Sequence, residues 1–223
     1  YYKDTFILAI AGVAVGVLVG IVDAAFGLGL NACTAIRTKY FWYLIWFLPL
    51  GGVFIWFIYH QFGKSVANGM KMVFHVGLGK NNKLPIRMVP LAIVGTWTTH
   101  LFGGSAGREG VAVQIGAAVS NNVGRLVDKT IDIENSRKMF LITGMAAGFS
   151  GLFCTPLAAI FFALEVLVAG KLEYHALIPA TVASISAAFT SRALGLRKFH
   201  INILETLNYH PSVSYTHLRA HET

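Results

Sequence analysis

The chain alternates long apolar runs with short polar breaks. Residues 6–30 are interrupted by one charge, Asp23, and the runs 41–59, 88–107, 139–164 and 176–191 contain no Asp, Glu, Lys or Arg. A helix crossing the hydrocarbon core needs about 20 such residues, and shorter ones survive only as re-entrant pieces or between neighbouring helices. The pattern therefore predicts an all-α, polytopic membrane protein with about five to seven membrane segments.

The breaks divide the runs into elements. A first helix is expected over 4–36, long enough to be strongly tilted. A polar turn at 37–40 and a second helix ending near His60 follow. Residues 61–83 are more polar and contain glycine, which predicts a loop, a half-helix and another loop. A third apolar segment covers 84–102, with Pro85 near its start, and a further helix covers 109–127. Beyond the polar bridge 128–138 come two pieces, 139–150 and 157–168, broken at Thr155-Pro156. The last helix is expected over 173–194. Its small residues Ala176, Ala180, Ala183 and Ala187 form a close-packing stripe, suited to an intrachain contact or a subunit interface. Residues 1–200 make one membrane domain. Residues 201–223 are a polar, His-rich tail, and its final portion, 214–223, reads as non-native sequence outside the functional argument.

Composition agrees with lipid as the solvent. Of 223 residues, 55% are hydrophobic and 13% charged, with a mean hydropathy of +0.62, whereas soluble domains are about one-quarter charged. The first run is too long for a signal peptide and lacks a basic leader and a cleavage site. A net charge of +8 raises nucleic acid as a partner. The Lys and Arg residues are scattered over the breaks without a basic face or interleaved aromatics, which argues against it. They read as headgroup charges, spread too evenly to fix orientation. Cys33 and Cys154 lie in apolar surroundings and read as small packing residues rather than a disulfide. The histidines show no two-ligand helical spacing, so neither a metal nor another cofactor is expected.

Helices shorter than the bilayer are tolerated at membrane depth where their ends are buried in protein or line a wet cavity. In transporters such ends aim their free amides at an anion near the midplane. Three candidate ends are present: Ala67-Asn68-Gly69-Met70, Gly107-Arg108-Glu109-Gly110, and Phe153-Cys154-Thr155-Pro156.

The second is the most informative. In GGSAGREGVAVQIG, Gly103, Gly104 and Gly107 let the backbone turn sharply and approach a small ligand. Glu109 opens a helix, where the dipole and unpaired amides favour its charge. In a soluble protein that would be the whole explanation, with Arg108 as partner, but an ionisable side chain inside a membrane points to function. The stretch is not a phosphate loop, since Arg108-Glu109 stands where Gly-Lys-Ser/Thr would be needed. An amide-rich helix end suits a smaller anion. A carboxylate in the place that anion would occupy acts as a gate, and protonation would release it.

These residues resemble a known family. Gly107-Arg108-Glu109-Gly110 with Val113-Gln114-Ile115-Gly116 is similar to the gating-glutamate motif of the CLC anion channels and transporters. The resemblance continues through Gly144-Met145-Ala146-Ala147-Gly148-Phe149, Thr155-Pro156-Leu157-Ala158 and Phe162-Ala163-Leu164-Glu165, over about residues 5–196. It implies the first inverted-repeat half of a CLC fold with tilted and broken helices. It further implies Glu109 as gate, an anion site at Asn68, Gly69, Met70, Gly107, Arg108, Gly110 and Val111, a homodimer in lipid, and no enzyme activity. The other half of the site is expected downstream. Chloride-type members usually carry Gly-Ser-Gly-Ile-Pro where this chain has Ala67-Asn68-Gly69-Met70-Lys71, a Pro at Val111, and in the exchangers a second acid at Val166. All three departures resemble the fluoride-exporting branch, which implies fluoride/proton antiport in a bacterial inner membrane. A chloride channel or chloride/proton exchanger remains the alternative.

Four other features have simpler readings. Asp23 faces a cation inside the bundle or lies near an interface. Glu165 pairs at a helix end or, more weakly, belongs to a proton path. His100 packs with a hydrogen bond or shuttles a proton. Gly148-Phe149-Ser150-Gly151 fits the serine motif of rhomboid intramembrane proteases, but Ser150 would need a histidine base, and His175 lacks the small-residue context of that family.

Overall fold

A computed structural model describes residues 2–80, 84–128, 136–167 and 171–197. Among the described residues it contains eight α-helices and no strand: α1 Tyr2–Leu44, α2 Leu48–Phe62, α3 Met70–Gly77, α4 Met88–Leu101, α5 Glu109–Val127, α6 Ser136–Phe153, α7 Pro156–Glu165 and α8 Leu177–Ala193. Short 3-10 turns, Ile45–Phe47 and Tyr174–Ala176, precede α2 and α8. The tail 201–223 lies outside the described residues.

The expected polar turn at 37–40 does not interrupt the first helix, which runs on to Leu44 and bends at Tyr40 (φ −118°, ψ 27°). No Gly or Pro occurs between Asn31 and Leu48 to break it. The polar side chains are absorbed by the helix itself: the hydroxyls of Thr34 and Thr38 donate to the carbonyls of Leu30 and Thr34, each at 2.9 Å. Helix α2 then starts with Pro49 in its first turn. Phe6–Phe62 is the one stretch among the described helices both long and apolar enough for a full crossing, while the apolar α7 is only 10 residues long.

The expected boundary at residue 84 moves inward. Leu84 is tied to α5 before helix α4 begins: its amide donates to Asn121 Oδ1 at 3.3 Å, and Asn122 Nδ2 donates to its carbonyl at 3.0 Å. These side chains hold the backbone of Leu84 outside the helix. Pro85 and Ile86 instead supply the carbonyls for the first amides of α4.

Two backbone-to-backbone crossings build the core. Along α1, Gly12, Gly16 and Gly20 face Pro179, Ala183 and Ala187 of α8, and a Cβ on Gly16 would meet Ala183 O at 2.4 Å. The small-residue stripe of the last helix is thus used within the chain, with Ala176, Ala180, Ala183 and Ala187 all fully buried. Between α5 and α6, a Cβ on Gly116 would come to 2.0 Å from Gly144 O, and one on Gly148 to 2.2 Å from Ala112 O. Because lipid supplies no hydrophobic drive for helices to associate, contacts of this kind, close enough for dispersion and polar backbone interaction, carry membrane packing. Trp97 adds a cross-link, its indole Nε1 donating to Phe26 O at 3.0 Å while the ring lies over Gly29.

Candidate functional site

Helix α5 begins at Glu109, as the spacing predicts, with Arg108 at the N-cap. The first intrahelical bond runs from Ala112 N to Arg108 O at 3.0 Å, so the amides of Glu109, Gly110 and Val111 precede the ladder. The loop before it is set by Gly103 (φ +89°), a conformation that suits glycine. Its amide donates to His100 O, and that of Gly104 to Thr99 O at 2.8 Å.

Helix α3 provides a second end. Gly69 (φ 48°, ψ −124°) is its N-cap, and turn-like bonds from Lys71 N to Asn68 O and Met72 N to Gly69 O open it. The left-handed φ explains the glycine. The amide of Met70, the first helical residue, lies ahead of these bonds.

Gln114 joins the two ends. Its side-chain amide lies 3.8 Å from the position a Cβ would take on Gly69, and 3.9 Å from that on Gly110. Half-buried on α5, one turn beyond Gly110, it reaches from α5 to the Asn68–Met70 turn. In the sequence Gln114 stands within Val113-Gln114-Ile115-Gly116 and carries no assigned role. Its i, i+4 position relative to Gly110 was the available signal.

Of the predicted residues, Gly69 and Gly110 both lie near Gln114; Glu109, Asn68 and Gly107 are exposed and Gly69, Met70, Arg108, Gly110 and Val111 partly buried. The third candidate end, at α7, is built differently. Cys154 takes a left-handed φ of 54° after α6, Arg192 Nη2 donates to its carbonyl at 3.2 Å, and Ser184 Oγ donates to Pro156 O at 3.0 Å. The break is thus pinned to α8. Both cysteines are free thiols. Among the described residues no cluster of three or more His, Cys, Asp or Glu is placed to hold a metal.

The remaining candidates resolve individually. His100 is buried with Nδ1 3.0 Å from Thr96 O, the hydrogen-bonded packing arrangement. Glu165 ends α7, exposed. Ser150 is fully buried and donates to Ser184 O at 2.8 Å. His175 lies in the turn before α8, roughly two and a half helical turns from Ser184. Among the described residues, Ser150 is thus engaged with a backbone carbonyl and not with a histidine, the arrangement of a packing residue. Asp23 departs from both of its expected settings. It is fully buried, and neither carboxylate oxygen has a hydrogen-bond partner.

Short, broken helices with free N-terminal amides in an apolar, all-helical chain are an arrangement that membrane transporters of small ions use. A profile described as voltage gated chloride channel matches residues 51–218, and the chain belongs to that family, the CLC proteins. It is 38% identical over 200 residues to a chloride/fluoride channel protein of Pseudomonas syringae pv. tomato, covering 90% of this chain and 43% of that protein. It is 35% identical over 117 residues to the H(+)/Cl(-) exchange transporter ClcA of Citrobacter koseri, covering 52% of this chain and 22% of that one. Among solved structures, a CLC-type fluoride/proton antiporter superposes with a TM-score of 0.83 at 42% identity, over 98% of this chain and 54% of that one. A slow cyanobacterial Cl-/H+ antiporter shares the fold at TM-score 0.71 and 17% identity. The chain thus spans about half the length of these fluoride-related relatives and has the all-helical fold of an integral, polytopic membrane protein.

Proposed function

We propose that the full-length protein exports fluoride in exchange for protons across a bacterial inner membrane, with Glu109 as the gate. The observation that carries the reading is the Gln114 link, which sets the Asn68–Met70 turn beside the helix end that begins with Glu109. The two relatives named for fluoride, with 38% and 42% identity, support the choice of ion.

The mechanism follows from charge at a helix N-terminus. The amides of Glu109, Gly110 and Val111 favour negative charge, supplied in turn by the Glu109 carboxylate and by the transported anion. Both cannot occupy the end together. A proton on Glu109 removes its charge and yields the place to the anion, so each proton bound accompanies anion movement. Fluoride is small and tightly hydrated, and the site must replace several strong hydrogen bonds at once. The side-chain amides of Asn68 and Gln114 and the backbone amide of Met70 are the donors at hand. Gly107 and Arg108 shape the approach, and Glu165 marks the far end of α7.

The site is open on the side where exposed Glu109 and Asn68 lie, which fits an ion path completed by the remainder of the protein. Exposed apolar side chains on α7 and α8, including Phe161 and Phe189, suit lipid or the partner in a homodimer. Transport moves ions without making or breaking covalent bonds in a substrate, so no enzymatic role is assigned.

Full-length protein in liposomes, followed with a fluoride-selective electrode and a pH indicator, is expected to move fluoride against protons and to leave chloride largely behind. Equal chloride flux would instead favour the chloride exchange reading that the Citrobacter relative's name suggests.

A further inference from the structure

Asp23 has no part in the mechanism above, yet among the described residues it is a fully buried carboxyl without a hydrogen-bond partner. It lies midway along α1, 0% exposed. On α6, Gly151 presses against it: a Cβ there would come to 2.4 Å from Asp23 Oδ2. That contact leaves no room on this side for a water or a hydrated cation.

Among the described residues no donor on the neighbouring helices reaches Asp23: the buried Thr143 and Thr155 hydroxyls and the Asn121 amide are unpartnered but make no hydrogen bond to it, and the serines are engaged elsewhere. Ser150 donates to Ser184 O, Ser184 to Pro156 O, and Ser191 to Ala188 O. The titratable and charged groups on the helices packed around α1 are few. From α8 there is Arg192, whose guanidinium donates to Cys154 O. On α6, Arg137 and Lys138 lie at the opposite end and pair with Asp128 and Glu173, and the thiol of Cys154 follows its last turn. Helix α4 contributes His100, whose Nδ1 meets Thr96 O, and α5 carries Glu109 in its first turn and Arg125 in its last.

We propose that Asp23 is a proton-binding site separate from the gate, occupied in the working protein, so that a neutral carboxylic acid sits in the α1/α6/α8 contact. An ionised carboxylate offers only acceptors, here without any donor in hydrogen-bond contact, and a buried charge without a counter-charge is strongly destabilising. One proton converts it into a donor, and the adjoining helix carbonyls each have a second lone pair to receive the bond.

The position links this proton to the transport platform. Gly151 is one turn beyond Gly148, which packs directly on Ala112 of α5. The same stretch of α6 therefore seats Asp23 on one side and the gate helix on the other. A neutral residue 23 is a condition for α5 to lie where it does, whereas the gate works by changing its charge.

The test is infrared spectroscopy on full-length protein in lipid at neutral pH. Wild type is expected to show a carboxylic-acid C=O band that shifts when aspartate is labelled with heavy carbon in its side-chain carboxyl. In D23N this band disappears while thermal stability and fluoride flux are retained, because the amide is neutral and nearly the same shape. Absence of the band from wild type, its persistence in D23N, or loss of an ionised-carboxylate band instead would overturn the proposal. If D23N does not fold, labelled wild type is compared with D23E. The acid band then loses its sensitivity to the aspartate label if it belongs to residue 23, and keeps it if the proposal is wrong.

Discussion

Helix α5 meets glycine in two settings. At its middle, Gly116 lies against Gly144 and Gly148 of α6 so closely that any side chain would strike backbone. At its start, Gly107 has nothing within 4 Å of where a Cβ would be, and Gly110 has only Gln114 nearby at 3.9 Å. In the first setting glycine removes volume so that two helices touch. In the second it leaves open space beside the backbone, which is free to turn. The same residue type thus makes one part of the helix closely packed and leaves the other accessible, the combination that the proposed gate would need: a fixed seat and an open end.

The widest separation between the two settings is expected at the crossing. Gly116→Leu places a branched side chain into the Gly144 carbonyl, with a cost above the ~1–3 kcal/mol of ordinary overpacking. Loss of the monodisperse peak in detergent chromatography is the expected result, and a well-folded variant would show that the helices can part.

At the open end, Glu109→Gln is expected to leave the fold intact while abolishing coupling between proton and fluoride fluxes, because the amide mimics a permanently protonated gate. Proton-driven fluoride movement that persists unchanged would remove Glu109 from the mechanism. Gln114→Ala sits between the two settings. It removes the side-chain amide that lies between Gly69 and Gly110, and should lower fluoride flux with only a small fall in the thermal midpoint. A large fall in stability with normal flux would place Gln114 with the packing residues instead.

The smallest effect belongs to Gly107→Ala. Open space surrounds this position, so the stability change should stay within about 0.5 kcal/mol, read from the thermal midpoint. A loss comparable with that of Gly116→Leu would mean that the two settings are alike after all.

Much of the architecture was legible beforehand because the local code is strong. Residues 109–127 were read with the bounds of α5, since Gly107 before and the polar bridge after are unambiguous punctuation. The half-helix after Asn68-Gly69 and the break at Thr155-Pro156 were read for the same reason. The break expected at 37–40 failed because threonine hydroxyls can bond within a helix, so polarity alone does not stop one. The start of α4 was misplaced because its reason, the capture of Leu84 by Asn121 and Asn122, lies 37 and 38 residues away.

The sequence by itself determined that this chain is helical, lives in lipid, and carries a glutamate at a glycine-rich helix start. Those properties follow from composition and from neighbours a few residues apart. Only the tertiary structure decided which helix ends meet, that Gln114 joins them, that the alanine stripe faces α1, and that Asp23 has no partner. Each depends on side chains brought together across tens of residues, where no local periodicity carries the information. A charge in an apolar run looks the same in sequence whether a cation faces it or only a glycine does.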